Sequence, residues 1–140
     1  MSTEMTAPPR TTGYLLLFRG ATWENCGLSK DEILQVRDKV NAWFDTLSAT
    51  GKFVSAQPLM EEGVVLTGKR GDVKTDGPFS EAKEVIGGYV LLSVETMEEA
   101  VAIAKSNPMF DLGLTTEIRP TASSCPHLHR IFNGPAQAVA

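Results

Sequence analysis

The sequence is poor in the groups on which most hydrolases and metal proteins depend. It holds two histidines, His127 and His129, and two cysteines, Cys26 and Cys125. Nothing places a serine beside either histidine, so no Ser-His-Asp arrangement can be proposed. Two isolated cysteines without an export signal predict reduced thiols rather than a disulfide framework. The first ten residues, Met1 to Arg10, have neither a basic start nor an apolar centre. A secretory signal is therefore not expected, and the cytoplasm is the default location. No run of about 18 apolar residues exists, so no membrane-spanning helix is expected. There is no basic excess either. A net charge of −4 weighs against direct nucleic-acid binding, which usually needs a basic face. Gly68-Lys69-Arg70-Gly71 lacks both the spacing of a phosphate loop and the helix that follows one. No internal repeat of fixed length is visible, and no cofactor is implied.

What is present suits one soluble domain. A chain of 140 residues can bury roughly two-thirds of its unfolded surface. Residues 1–12 are polar and proline-bearing and are expected to be mobile. Tyr14-Leu15-Leu16-Leu17-Phe18 is a short continuous apolar run whose length favours a buried strand. Ser29-Lys30-Asp31-Glu32 reads as a capping box, and Ile33, Val36, Val40, Trp43, Phe44 and Leu47 follow at spacings of three and four. They predict a helix from Lys30 to Ala49 with one apolar face, stopped at Gly51. Residues 52–59 predict a strand ending near Pro58. Residues 64–67 and 72–75 predict a hairpin across Gly68–Gly71.

Asp76-Gly77-Pro78-Phe79 is strong turn chemistry, and Ser80 to Glu84 predicts at most a helical turn. A strand over Ile86–Glu95 follows. Its two leading glycines, Gly87 and Gly88, predict close approach of another group to the backbone. Thr96-Met97-Glu98-Glu99 is a second capping box, with Met97, Ala100, Val101 and Ala104 on the inner side of a helix ended by Asn107-Pro108. Thr115–Arg119 predicts a last strand stopped by Pro120. Residues 121–140 read as a tail without a clear period.

Strand–helix–strand, an inserted β-hairpin, then strand–helix–strand predicts an α+β sandwich of the ferredoxin-like type, with an antiparallel sheet and two helices on one face. The chain divides into a flexible N-terminus (1–12), one domain (13–120) and the tail (121–140). The second sheet face carries apolar residues, which marks a binding surface. The simplest cover is a second copy, giving a two-fold homodimer. A monomer with a liganded groove is the alternative.

Five residues are candidates for a site. Asp76 is a general base or ligand contact if buried, and otherwise an Asx-turn residue. Tyr89 presents a ligand-facing hydroxyl or is a core aromatic. Arg19 and Arg119 end the first and last strands. If they converge they hold a carboxylate or phosphate; the competing reading is a salt bridge to Glu117, Glu24 or Asp76. Lys83, beside Glu84, faces a cleft or solvent. Cys125, His127 and His129 are zinc-type ligands, but their spacing matches no strong zinc pattern and no metal is assigned.

Thr75-Asp76-Gly77-Pro78-Phe79, with Glu81, Lys83-Glu84 and Gly87-Gly88-Tyr89, resembles the signature of the DGPF domain of the YCII-related family. The resemblance extends from about Tyr14 to Pro120 and includes Glu117-Ile118-Arg119-Pro120. It implies a dimeric α/β barrel built from ferredoxin-like subunits, with clefts between sheet and loops. It implies no single reaction: cofactor-independent proton transfer of lyase or isomerase type is the expected chemistry if the protein is an enzyme. Some relatives accompany sigma factors, which implies a transcription-related protein partner as the alternative role. Members of the wider family are similar in carrying a His-Asp pair. Asp76 is the nearest match to that aspartate, while the histidine expected in or near the first helix has no counterpart here.

Overall fold

A computed structural model describes residues 7–20, 23–24, 26–76 and 85–133. The chain forms β1 (Thr11–Arg19), α1 (Lys30–Ala49), β2 (Phe53–Pro58), β3 (Val65–Lys69) and β4 (Asp72–Asp76). It continues through β5 (Ile86–Leu92), α2 (Met97–Lys105), a 3-10 helix (Pro108–Leu112), β6 (Thr115–Ala122) and α3 (Pro126–Asn133). Four strands make an antiparallel sheet in the order β2-β5-β1-β6, and β3 and β4 form a separate hairpin. This is the ferredoxin-like α+β order with an inserted hairpin. The sheet of the single chain is open, with β2 and β6 as its edges.

The ends of α1 are set by local chemistry. Ser29 Oγ accepts the Glu32 N–H at 3.2 Å, and Glu32 Oε1 accepts the Ser29 N–H at 2.9 Å. That reciprocal pair satisfies two donors the first helical turn would leave open. Val36, Trp43 and Leu47 are buried, and Ile33, Val40 and Phe44 are half-buried. The apolar stripe of α1 therefore lies on the sheet. Along β1 and β5, alternation puts Tyr14, Leu16, Val90 and Leu92 on the helix side, where they pack with Trp43, Leu47, Ala100 and Ala104. Leu15, Leu17, Tyr89 and Leu91 occupy the opposite face and are half-buried.

Several elements depart from the sequence reading. The second capping box is half formed. Thr96 Oγ1 accepts the Glu99 N–H at 3.1 Å, but the Glu99 carboxylate reaches Lys52 Nζ at 3.3 Å instead of returning to Thr96. β5 ends at Leu92 rather than Glu95, although Val94 remains buried. β6 runs through Pro120, which pairs with Tyr14; proline is tolerated there because β6 is an edge strand. The tail is not irregular throughout. Pro126 opens a helix, as its fixed φ suits a first helical position, and Leu128, Ile131 and Phe132 recur along it at helical spacing. The Gly77–Phe79 turn, Ser80–Glu84 and most of the N-terminal segment lie outside the described residues.

The hairpin β3–β4 has no buried residue. In β3, one pair before the turn, Gly68 has a φ of +135°, and a Cβ there would run into the Asp72 carbonyl oxygen. Among the described residues, no helix is long and apolar enough to cross a membrane.

Candidate functional site

The site begins where the sheet loses its regularity. β1 and β5 pair in register from Tyr14–Leu92 to Phe18–Gly88. The next pair is Arg19–Ile86, so Gly87 has no partner on β1. A slip of this kind bends and twists a strand locally. It falls at the end of the sheet where β1 and β2 finish and β5 starts. There α1 and the sheet enclose a cavity of about 790 Å³, within the range of about 300–1,000 Å³ typical of small-molecule sites.

Its walls come from five places in the chain. Val40 and Phe44 of α1 face Phe18, Ala56, Pro58 and Val90 of the sheet. Phe44 is fixed edge-on by Trp43 and Phe53, with ring centroids 5.0 and 5.9 Å away. Trp23 and Glu24 follow β1, Leu59 and Glu61 follow β2, and Asn107, Met109 and Leu114 come from the connection between α2 and β6. The lining is mainly apolar with a few polar groups, the composition of a ligand pocket.

The two glycines of β5 do different work. A Cβ on Gly88 would lie 3.0 Å from the Gln57 carbonyl oxygen and 3.3 Å from Pro58 Cα, so β2 requires a glycine-sized residue there. A Cβ on Gly87 would meet nothing closer than Phe18 O at 3.9 Å. Gly87 therefore puts backbone without a side chain in the cavity lining, its carbonyl accepting the Leu59 N–H at 2.9 Å.

The candidate residues do not all meet. Arg19 and Tyr89 are both in the lining, although Tyr89 occupies a strand position that alternation assigns to the sheet face away from the helices. Arg19 Nη1 also binds Glu117 Oε1 at 2.8 Å, and Arg119 Nη1 binds Glu117 Oε2 at 3.4 Å. The two guanidinium groups thus converge on a carboxylate, and that carboxylate belongs to the neighbouring strand. The Arg19 bond, and after it the Arg119 bond, holds the Glu117 carboxyl below its ordinary range. Arg119 is itself largely exposed. Asp76 ends β4, is exposed, pairs with Val65, and is not among the residues lining the cavity. Lys83 lies outside the described residues.

His127 and His129 both lie in α3, two residues apart, a spacing that does not face one direction on a helix. The His127 and His129 rings lie against Arg130 at 2.6 Å and Asn133 at 3.4 Å respectively, both through Nδ1. Among the described residues, no three His, Cys, Asp or Glu side chains stand close enough to hold a metal ion.

Sequence reasoning missed the larger part of the lining. Val40 and Phe44 read only as core positions of a helix, and Asn107 only as a helix stop. Trp23-Glu24 in a polar loop straight after a strand was the available signal, because a large aromatic in a loop needs something to cover.

The family whose pattern matches this chain is the YCII-related domain, over residues 20–121, and the chain belongs to that family. No curated protein sequence matches it. Among solved structures the chain is similar to 5-chloro-2-hydroxyhydroquinone dehydrochlorinase from Burkholderia phenoliruptrix AC1100, in complex with 2,5-dihydroxybenzoquinone. The identity is 16%, over 76% of this chain and 90% of that chain, with a TM-score of 0.43.

Proposed function

We propose that this YCII-related chain holds a small organic molecule in the cleft between α1 and the open end of its sheet, and that the bound molecule undergoes proton transfer without a cofactor. The observation that carries the reading is the cavity itself: ligand-sized, mainly apolar and crossed by a few polar groups. Arg19 and Tyr89 are the proposed ligand contacts, and Arg119 and Lys83 are the further candidates the sequence reading names. Proton transfer needs a carboxylate or phenol within reach of the ligand. Asp76 is the base that the family signature singles out, whereas Glu24 and Glu61 are the carboxylates in the lining.

A thermal-shift screen of a metabolite library tests binding, because a ligand that binds only the native state raises the melting temperature by mass action. Val40→Phe fills the cleft from the α1 side and should abolish the shift of any true hit. Hits that survive it undiminished would place binding elsewhere. With a hit in hand, turnover by Asp76→Asn, Glu24→Gln and Glu61→Gln assigns the base. Turnover unchanged in all three removes the acid–base part of the proposal.

The half-buried outer face of the sheet, with Leu15, Leu17, Tyr89 and Leu91, supports pairing with a second copy. Light scattering should then give twice the chain mass, and a stable monomer at micromolar concentration contradicts it. A second reading, a regulatory module that binds a transcription-related protein, is favoured by one observation. Leu66 and Val73 of the hairpin and Ile131 and Phe132 of α3 are exposed. If those residues remain accessible in the dimer, the interaction role gains over the catalytic one.

A further inference from the structure

One polar side chain of the cavity can be followed through all its hydrogen bonds. Asn107 is 5% exposed and is part of the lining. Its backbone N–H donates to the Ala104 carbonyl at 3.1 Å, and its own carbonyl accepts from the Phe110 N–H at 3.1 Å. Its side-chain Oδ1 accepts the Met109 N–H at 2.9 Å and so caps the 3-10 helix. That bond fixes which way the amide points, because only the oxygen can accept from an N–H. The remaining group is the Nδ2 amine, with two donors, and among the described residues it has no partner. It is not sealed in the packing: the enclosed side-chain atoms lacking partners there are Thr116 Oγ1 and Ser124 Oγ. The free donors therefore open onto the cavity.

The frame behind Asn107 is rigid. Trp43 Nε1 donates to Ser106 Oγ at 2.8 Å, and Ser106 Oγ donates to the Ile103 carbonyl at 2.6 Å. This ties the residue before Asn107 to both helices. A donor held this way keeps its direction whether or not the cavity is filled, which is what a binding group needs.

We infer that Asn107 is a ligand-binding residue of this cavity, and that its ligand is a neutral, ring-sized apolar molecule carrying an oxygen acceptor such as a ketone or amide carbonyl. The proposal rests on the small-molecule reading of the cleft and deepens it. Ring size follows from the aromatic walls, Phe18, Trp23 and Phe44. The absence of negative charge follows from the charged lining: Arg19 is engaged by Glu117, and the other two charged groups, Glu24 and Glu61, are carboxylates. A neutral acceptor takes a hydrogen bond from the amine, whereas an anion would meet like charge. A site built to hydrogen-bond a ligand oxygen discriminates against the same carbon skeleton without it.

The test uses the full chain, 15N-labelled, with 1-tetralone and tetralin as probes: one skeleton with and without a carbonyl. Asn107→Asp keeps a side-chain oxygen to accept the Met109 N–H and removes both donors. In the wild type, 1-tetralone should bind about tenfold tighter than tetralin or more, a ratio of the size one hydrogen bond supplies. It should move the Asn107 side-chain amide resonances, while tetralin should leave them in place. In Asn107→Asp that preference should collapse, the ratio of the two affinities falling toward one.

Equal affinities in the wild type, an unmoved Asn107 amide, or a preference that survives the substitution overturns the role of Asn107 and leaves the cleft standing. If neither probe perturbs Val40, Phe44 or Met109 up to its solubility, the cleft reading falls and this proposal with it. Should the variant fail to fold, the wild-type amide resonances decide alone.

Discussion

The two ends of the layer between α1 and the sheet are made from similar residues and finish differently. At one end Tyr14, Leu16 and Leu92 close against Trp43 and Leu47, and Ala100 and Ala104 let α2 approach. At the other, Phe18, Val40 and Phe44 line open space. Hydrophobicity does not separate them. The closed end has an unbroken ladder between β1 and β5, so each side chain faces a filled position. The open end has the slip at Phe18/Arg19 and the Gly87-Gly88 pair, where β5 carries no side chain. A cavity here is a consequence of backbone register more than of composition.

The comparison can be broken most forcefully at the closed end. Leu92 is fully buried, and Leu92→Ala should lower unfolding free energy by about 2–5 kcal/mol, measured by urea denaturation. A smaller loss would mean that the closed end can collapse as the open end has not. Next come the glycines. Gly88→Ala forces a contact with the β2 backbone and should destabilise by about 1–3 kcal/mol. Gly87→Ala should leave stability unchanged or raise it by up to about 1 kcal/mol, while weakening any ligand held in the cleft. Equal effects at both positions would remove the distinction between a packing glycine and a cavity glycine.

The smallest effect concerns Glu117. Its folded carboxyl titrates below the unfolded value, so its contribution to stability is present above the ordinary glutamate range of about 4.3 and is lost as pH falls through the depressed folded value. Glu117→Gln should therefore lower the melting temperature at pH 7, converge with the wild type in strong acid, and narrow the gap at high salt. A gap that persists in acid would show that the side chain acts by packing rather than by charge.

Much of the fold was legible in the sequence because its signals are local. The limits of α1 follow from a capping box spanning Ser29 to Glu32 and from an apolar stripe repeating every three or four residues. The hairpin follows from glycines bracketing Lys69-Arg70. The C-terminal helix was legible too, in Leu128, Ile131 and Phe132, but its eight residues gave too short a pattern beside Ser, Pro and Ala. Less of the candidate site could be read. Tyr89 and Arg19 were singled out and do line the cavity, while Phe44, Trp23 and Asn107 were not, because each also has an ordinary structural role.

By itself the sequence determined the α+β order, the caps, the two-sided apolar character of β5 and the family. It named the arginines of the first and last strands without settling what they hold. Only the tertiary structure decided that Arg19 and Arg119 meet on Glu117, that Glu99 turns to Lys52, and that Asn107 has its carbonyl bound and its amine free. The reason is distance along the chain. Caps and stripes join residues within a turn of one another, and short-range geometry fixes them. The Arg19–Glu117 bond joins residues 98 apart, so it depends on the register of two strands, and that register is set only when the whole sheet has packed against its helices.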